Sequence, residues 1–264
     1  MNSCEIISYR NQKIHSRTDT IASEAILSIE IIWGPPHNRT KTHLADLLRT
    51  PGHDYELALG LIFSLGIITS INNILSYNLC PRRTLITFEL DYKLEFKPQN
   101  FSSGHMRHAG CGFCTSPQNL PKNLTPVTNN IIINAEIILA CESKLKPAQQ
   151  LFAQTGGTHA AALFDKNANL ITLYEDVGRH NALDKLLGFK LINPKTESNI
   201  VIMSSRASFE LLQKAHMAKL PIIITLGAVS TMALDYAKKY HITLGGFLSS
   251  TGFNIYTHKD RIKL

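Results

Sequence analysis

The chain has 264 residues, 44% of them hydrophobic, enough to bury a full core in one large domain or two modest ones. Its 27 Lys and Arg against 20 Asp and Glu leave a net charge of +7 spread without a Lys/Arg block, so no DNA-reading helix is marked, and a phosphorylated small molecule or an acidic protein partner explains the charge as well as nucleic acid does. Of five cysteines, Cys4, Cys80 and Cys141 are scattered and make no disulfide framework, and neither MNSCEIISYRNQKIHSRT nor PIIITLGAVSTMAL is apolar and long enough for a signal core or a span; a soluble, cytoplasmic chain with reduced thiols is expected.

In AILSIEII, from Ala25 to Ile32, Leu27, Ile29 and Ile31 alternate with Ser28 and Glu30, the period-2 pattern of a half-buried strand. After LRTPGH, Asp54 is positioned to cap a helix, YELALGLIFSL, whose stripe of Leu57, Ala58, Leu61, Ile62 and Leu65 ends at Gly66. TLITFEL, Thr84 to Leu90, reads as a strand flanked by Arg82 and Arg83. Between Lys97 and Pro126 periodicity disappears and Pro, Asn, Ser and Gly dominate, a length that in a compact domain belongs to functional or disordered segments. From Asn134 the grammar alternates: helix NAEIILACESKL, strands AALFD and LITLYE, helix ALDKLLG, strand NIVIMSS, helix SFELLQKAHMAKL, strand PIIITLG, helix STMALDYAKKY, strands HITLGGF and FNIYTH. That order predicts an α/β domain with part of its sheet parallel. The expected organisation is an α+β N-terminal part over residues 1–98, a mobile CxxC loop over 99–126 and an α/β domain over 127–264. Ligands of such sheets bind beyond the carboxyl ends of strands, where Ser204-Ser205-Arg206 and Leu248-Ser249-Ser250-Thr251-Gly252 follow predicted strands.

Three stretches carry chemistry. HMRHAGCGFCTSP, from His105, places Cys111 and Cys114 three residues apart with Arg107 and His108 nearby, charges that favour the thiolate. The same stretch offers His105, His108, Cys111 and Cys114 as four zinc ligands, but structural zinc sites join two ligand pairs across an intervening loop or helix, whereas these lie within ten residues. A thioredoxin-like dithiol is disfavoured because its CxxC opens a helix within a βαβ unit. In TGGTHAAAL, Gly156-Gly157 allows close approach of a ligand to backbone, and His159 enters an apolar strand either as a ligand contact or as a core histidine bonded to a carbonyl. In YEDVGRHNALDKLLG, Glu175, Asp176, Arg179 and His180 precede a helix, and both a salt-bridged cap and an anion site fit them.

Together LRTPGHDYELALGLIFSLGII, CGFC, TGGTHAAAL, EDVGRHNALDKLLG, SSRASFELLQKAHMAKLPI and GGFLSSTGFNIYTH resemble, in order and over nearly the whole chain, the formate dehydrogenase accessory sulfurtransferase family, FdhD. The resemblance implies a cytidine deaminase-like larger domain and a sulfurtransferase that takes sulfur from a cysteine desulfurase as a cysteine persulfide. It passes the sulfur to the molybdenum (or tungsten) bis-pterin guanine dinucleotide cofactor before insertion into formate dehydrogenase. It implies Cys111 as the persulfide carrier, with Cys114 assisting or resolving, and a cofactor contact at Phe247, Leu248, Ser249, Ser250, Thr251 and Gly252, to which Arg206 and His159 are added. It further implies a homodimer, no resident metal, and no nucleic acid or membrane partner. Gly252 stands where relatives commonly have Arg, Ser205 where many have Gly, and TLGAVS where a sequence like AVSAPT is usual. THAAA lacks the Glu two residues after His159, and the PCxxC, that a zinc deaminase needs. The competing reading is a non-enzymatic cofactor chaperone with a zinc-stabilised His/Cys loop.

Overall fold

The computed structural model describes residues 2–97, 124–129 and 131–264. In chain order the strands and α-helices are β1 (Asn2–Arg10), β2 (Lys13–Ile21), β3 (Ala25–Trp33), β4 (Thr40–Arg49), α1 (Asp54–Ser64), β5 (Ile74–Leu79), β6 (Leu85–Leu90), β7 (Ile133–Asn134), α2 (Ala135–Ala148) and α3 (Gln150–Thr155). There follow β8 (His159–Phe164), β9 (Leu170–Asp176), α4 (Arg179–Ile192), β10 (Ile200–Met203), α5 (Phe209–Met217), β11 (Ile222–Thr225), α6 (Thr231–Lys239), β12 (Thr243–Ser249), β13 (Gly252–Thr257) and β14 (Ile262–Lys263). The chain is mixed α/β. No helix among the described residues is long and apolar enough to cross a membrane.

The larger sheet has the order β13-β12-β11-β10-β8-β9, with β10, β11 and β12 parallel and β8 antiparallel to both β10 and β9. Strands β9 to β12 therefore all run the same way, and their carboxyl ends share one edge with the start of β8. The two faces follow from the period of 2. Ala162, Phe164, Ile200, Ile202, Ile222 and Ile224 pack on α2 through Ile138, Cys141 and Leu145. Ala161, Leu163, Val201, Met203, Ile223 and Leu244 face the other way, in the cluster that holds the buried residues of α4, α5 and α6.

The smaller sheet, β4-β3-β6-β5, pairs β3 parallel to β6, and Leu27, Ile29 and Ile31 point inward as expected. Helix α1 is apolar nearly all round, as befits a helix enclosed on several sides, and it crosses α4 so closely that a Cβ added to Gly60 would overlap the Asp184 carbonyl and one on Gly188 the carbonyl of Glu56. One apolar cluster runs without a break from Leu27 through α1 and α4 to Leu244, so the two sheets share a core. Asp54 does not cap α1: His53 occupies the cap in the left-handed region at φ 55°, and the Asp54 carboxylate is buried against the Arg49 guanidinium at 2.8 Å. Arg49 in turn donates to the Arg83 carbonyl at 2.8 Å, tying the β4–α1 loop to the β5–β6 turn. The polar opening stretch forms a separate hairpin, β1-β2, turned by Asn11 and Gln12 with φ 50° and 61°.

Candidate functional site at the carboxyl edge

The EDVGRHN stretch divides its labour. Asp176, fully buried, accepts from Thr50 N at 3.0 Å, Gly178 N at 2.9 Å and Asn181 Nδ2 at 3.0 Å, and pairs with Lys185 Nζ at 2.8 Å. Lys185 also donates to the carbonyls of Thr50 and Glu175, and Asn181 to that of Leu48, so this knot fastens the larger sheet to the β4–α1 loop. Its partners are spent on structure. Glu175 accepts from Leu151 N at 2.8 Å, Phe152 N at 2.7 Å and Thr158 Oγ1 at 2.9 Å, which holds α3 and the Gly156-Gly157-Thr158 turn in place.

That turn is one wall of an open cavity of about 460 Å³ at the carboxyl edge. Gly156, at φ 64°, adopts the left-handed conformation that closes α3, and His159, Val177, Ser204 and Leu226 complete the rim from β8 and the loops after β9, β10 and β11. Glu142 and Lys146 from α2 and Phe152 from α3 form the opposite side. His159 is half-buried, with Nδ1 3.3 Å from Ser204 Oγ, and that oxygen already accepts from Ala160 N at 2.9 Å. The Ser204 hydroxyl thus ties the His159 ring to the start of β8, with either partner able to donate in the Nδ1–Oγ bond. Burial first, and then the charge of Arg179, push the His159 pKa below its ordinary value. The side chain is bonded to a hydroxyl, not to the carbonyl that a core histidine was expected to find.

A second crevice of about 530 Å³ opens from the same edge between the N-termini of α4, α5 and α6, lined by Arg179, Ser208, Glu210 and Ser230 among others. The loops after β9, β10 and β11 each lend an early residue to the first cavity and a later one to the second. His180 is 3% exposed, and burial and then Lys214, Arg179 and His159 push its pKa down to about 3.

Of the residues singled out from sequence, Arg206 is exposed and packs its stem over Gly227, whose carbonyl accepts from Phe247 N at 3.1 Å. Phe247, at φ 54° and 52% exposed, sits at the irregularity near the end of β12 that leads into the β12–β13 turn, also at the carboxyl edge. Leu248 is buried in the core, Ser249 Oγ reaches Thr251 Oγ1 and the Gly252 carbonyl at 3.2 Å, Ser250 is exposed, and a Cβ at Gly252 would meet nothing within 4 Å. His159, Arg206 and residues 247–252 thus stand along one edge, though 247–252 do not line either cavity. Cys111, Cys114, His105 and His108 lie outside the described residues. Among the described residues no three His, Cys, Asp or Glu side chains stand together to hold a metal ion. Sequence reading passed over Glu142, Lys146 and Phe152, whose signal was faint: a Gly pair ahead of a His implies a wall opposite, without saying which helix supplies it.

The profile of the FdhD/NarQ family matches residues 38–263. Proteins named sulfur carrier protein FdhD from Sulfurisphaera tokodaii and Thermoplasma acidophilum are each 34% identical, the first over 98% of this chain and 97% of its own length, the second over 97% and 92%. A crystal structure from Desulfotalea psychrophila, of a candidate formate dehydrogenase accessory protein, shares the fold with a TM-score of 0.81 at 21% identity, covering 99% of each chain. The chain belongs to the FdhD/NarQ family.

Proposed function

We propose that this protein is a sulfurtransferase, carrying sulfur as a persulfide on Cys111 and delivering it to the molybdenum bis-pterin guanine dinucleotide cofactor destined for formate dehydrogenase. The Cys111 thiolate attacks the terminal sulfur of a cysteine desulfurase's persulfide; the donor S–S bond breaks, its cysteine leaves as thiolate, and Cys111 holds the sulfane sulfur. Attack of the Cys114 thiolate on Cys111 Sγ then releases hydrosulfide to the cofactor. The two thiols are oxidised to a disulfide as the sulfur is reduced, and a thiol reductant resets the pair. Low thiol pKa favours each attack, and Arg107 and His108 lie within four residues of Cys111 in sequence.

The observation that carries this reading is the convergence of His159, Arg206 and the 247–252 turn, far apart in sequence, on one carboxyl edge beside open cavities. That is where α/β scaffolds of this kind, the deaminase-like one included, hold nucleotides. The cofactor is cargo, with no metal of the protein's own required, and its two guanine nucleotides suit a two-fold dimer offering two such edges. The protein works in the cytoplasm, where desulfurase and apo-enzyme are met in turn.

Incubation with a cysteine desulfurase and cysteine is expected to add a reductant-labile sulfur to Cys111, read by peptide mass spectrometry. A Cys111→Ala protein that still takes up that sulfur elsewhere and still activates formate dehydrogenase overturns the assignment. Stoichiometric zinc in chelator-free protein, lost on Cys111→Ser, would instead favour the zinc-stabilised chaperone.

A further inference from the structure

The opposite, amino edge of the larger sheet carries a groove of about 630 Å³, walled by Val127, Ile131, Ile132, His241, His258 and Asp260 among others. Tyr240 and His241 close α6 just before β12 begins at Thr243, and His258 follows Thr257, which pairs with Leu244 near the start of β12. The chain that follows Cys111 and Cys114 in sequence is fastened into this wall. His216 Nε2 lies 2.9 Å from the Thr125 carbonyl, Val127 N donates to the Tyr240 carbonyl at 2.9 Å, and the Arg261 guanidinium donates to the carbonyls of Val127, Asn129 and His241.

Positive charge gathers around the groove. Lys238, Lys239, Lys259 and Lys263 are exposed on the two segments that form its far side, and none makes an ion pair among the described residues. Asp260 and, one turn back on α6, Asp235 are the acidic residues those segments hold. The near wall is apolar, with Ile132 68% exposed. An apolar strip rimmed by charge is the anatomy of a protein-docking patch, and the sign of the rim calls for an acidic partner. A second copy placed about a two-fold axis would bring the lysines toward their own equivalents. A nucleic acid strand is held by aromatic faces and guanidinium groups, whereas here the two histidine rings pair with each other, centroids 4.9 Å apart, Arg261 is buried, and the open wall is aliphatic. The cofactor, on the reading above, takes the carboxyl edge, which leaves this face to the sulfur donor.

We propose that the groove docks the cysteine desulfurase through an acidic segment of that enzyme, with an apolar side chain against Ile131 and Ile132 and carboxylates against the lysines. The inference rests on the sulfurtransferase reading and adds the surface on which the donor is met. Sulfur uptake by Cys111 in the full chain, followed by peptide mass spectrometry over a range of desulfurase concentrations, tests it, with inorganic polysulfide as a donor that needs no docking. In Lys238→Glu/Lys259→Glu/Lys263→Glu, uptake at low desulfurase is expected to slow about 10- to 100-fold and to lose its salt dependence. Ile132→Ser should raise the desulfurase concentration for half-maximal transfer about three- to tenfold. Both variants should take sulfur from polysulfide at the wild-type rate and keep the wild-type unfolding midpoint. If both receive sulfur from the desulfurase within about twofold of the wild type, or are slowed as much with polysulfide, docking here is refuted and the sulfurtransferase reading stands. Duplex DNA that binds the wild type at about 0.15 M salt and not the triple variant, or a dimer that parts in that variant, gives the groove another occupant and overturns the proposal. A wild type loaded by polysulfide but not by the desulfurase sinks the docking proposal alone; if Cys111 takes sulfur from neither, the sulfurtransferase reading falls and this inference with it.

Discussion

Asp176→Ala removes a carboxylate that three donors and one ammonium share, at a fully buried site. Lys185, 1% exposed, is left with the carbonyls of Thr50 and Glu175 and no counter-charge. Breaking a buried pair by removing one partner costs about 3–5 kcal/mol, and the two carbonyls keep the ammonium partly satisfied, which points to the lower half of that range. The amides of Thr50 and Gly178 lose their acceptor and add about 1–3 kcal/mol between them, with overlap, so a loss of about 4 kcal/mol is expected. At roughly 2–4 °C per kcal/mol the melting temperature falls by about 8–16 °C. Urea unfolding followed by far-ultraviolet circular dichroism should show the midpoint drop with an unchanged slope. In Asp176→Leu/Lys185→Met both charges go, and only the orphaned amides remain, so most of the loss should return. A loss below about 1 kcal/mol in Asp176→Ala, or a double variant as unstable as the single, refutes the view that this acidic residue joins the two sheets rather than serving a ligand.

Three other outcomes follow from the same geometry. His180, with its folded pKa depressed to about 3, and His159 and His216, also depressed chiefly by burial, bind protons less readily when folded than near their ordinary value of 6.5 when unfolded. The unfolded chain then binds more protons, so stability should be full above pH 6.5 and fall as pH drops toward 3; His180→Gln should make the urea midpoint less steep in pH over that window, and an unchanged slope contradicts it. Cys80, partly exposed at the β5–β6 turn, has its thiol lowered to about 7 by hydrogen bonds from Thr84, while burial pushes Cys141 up to about 12. Iodoacetamide at neutral pH should therefore label Cys80 and spare Cys141 in the native protein, and equal labelling by peptide mass spectrometry would be inconsistent with this. Gly252→Arg enters open space, so it should fold normally and tighten GDP binding by about three- to tenfold through one added charge-assisted contact; a destabilised or weaker-binding variant counts against the turn's proximity to the phosphates.

Where a residue's partners are near in sequence, the pattern was readable. AILSIEII displayed the inward face of β3, and the alternating grammar after Asn134 predicted α4, α5, α6 and a partly parallel sheet, whose parallel strands are β10, β11 and β12. The β1-β2 hairpin escaped because both its faces are largely exposed, Ile7 at 78% and Ile14 at 73%, so no apolar side distinguishes it from a polar leader. Asp54 escaped because a cap is a local reading, whereas Arg49 takes its carboxylate across the loop. EDVGRHN was ambiguous for the same reason at longer range. Asp176 is claimed by Thr50, 126 positions earlier, and Glu175 by the α3 amides, 23 and 24 positions earlier.

Once those two carboxylates are assigned to the scaffold, the charge left over in the motif is Arg179, and it faces Glu210, 31 positions on, across a crevice of about 530 Å³. A net charge counts that pair as zero, and a linear motif never sets its members side by side. Folding keeps them apart. Two opposite charges on neighbouring elements would ordinarily close on each other, and each pays little to do so when solvent is at hand. Here a neutral histidine stands beside the carboxylate without neutralising it, and both charged residues sit in the first turns of their helices, Arg179 in α4 and Glu210 in α5. Their meeting at one crevice follows from which helices the larger sheet brings together, and no short stretch of sequence encodes it.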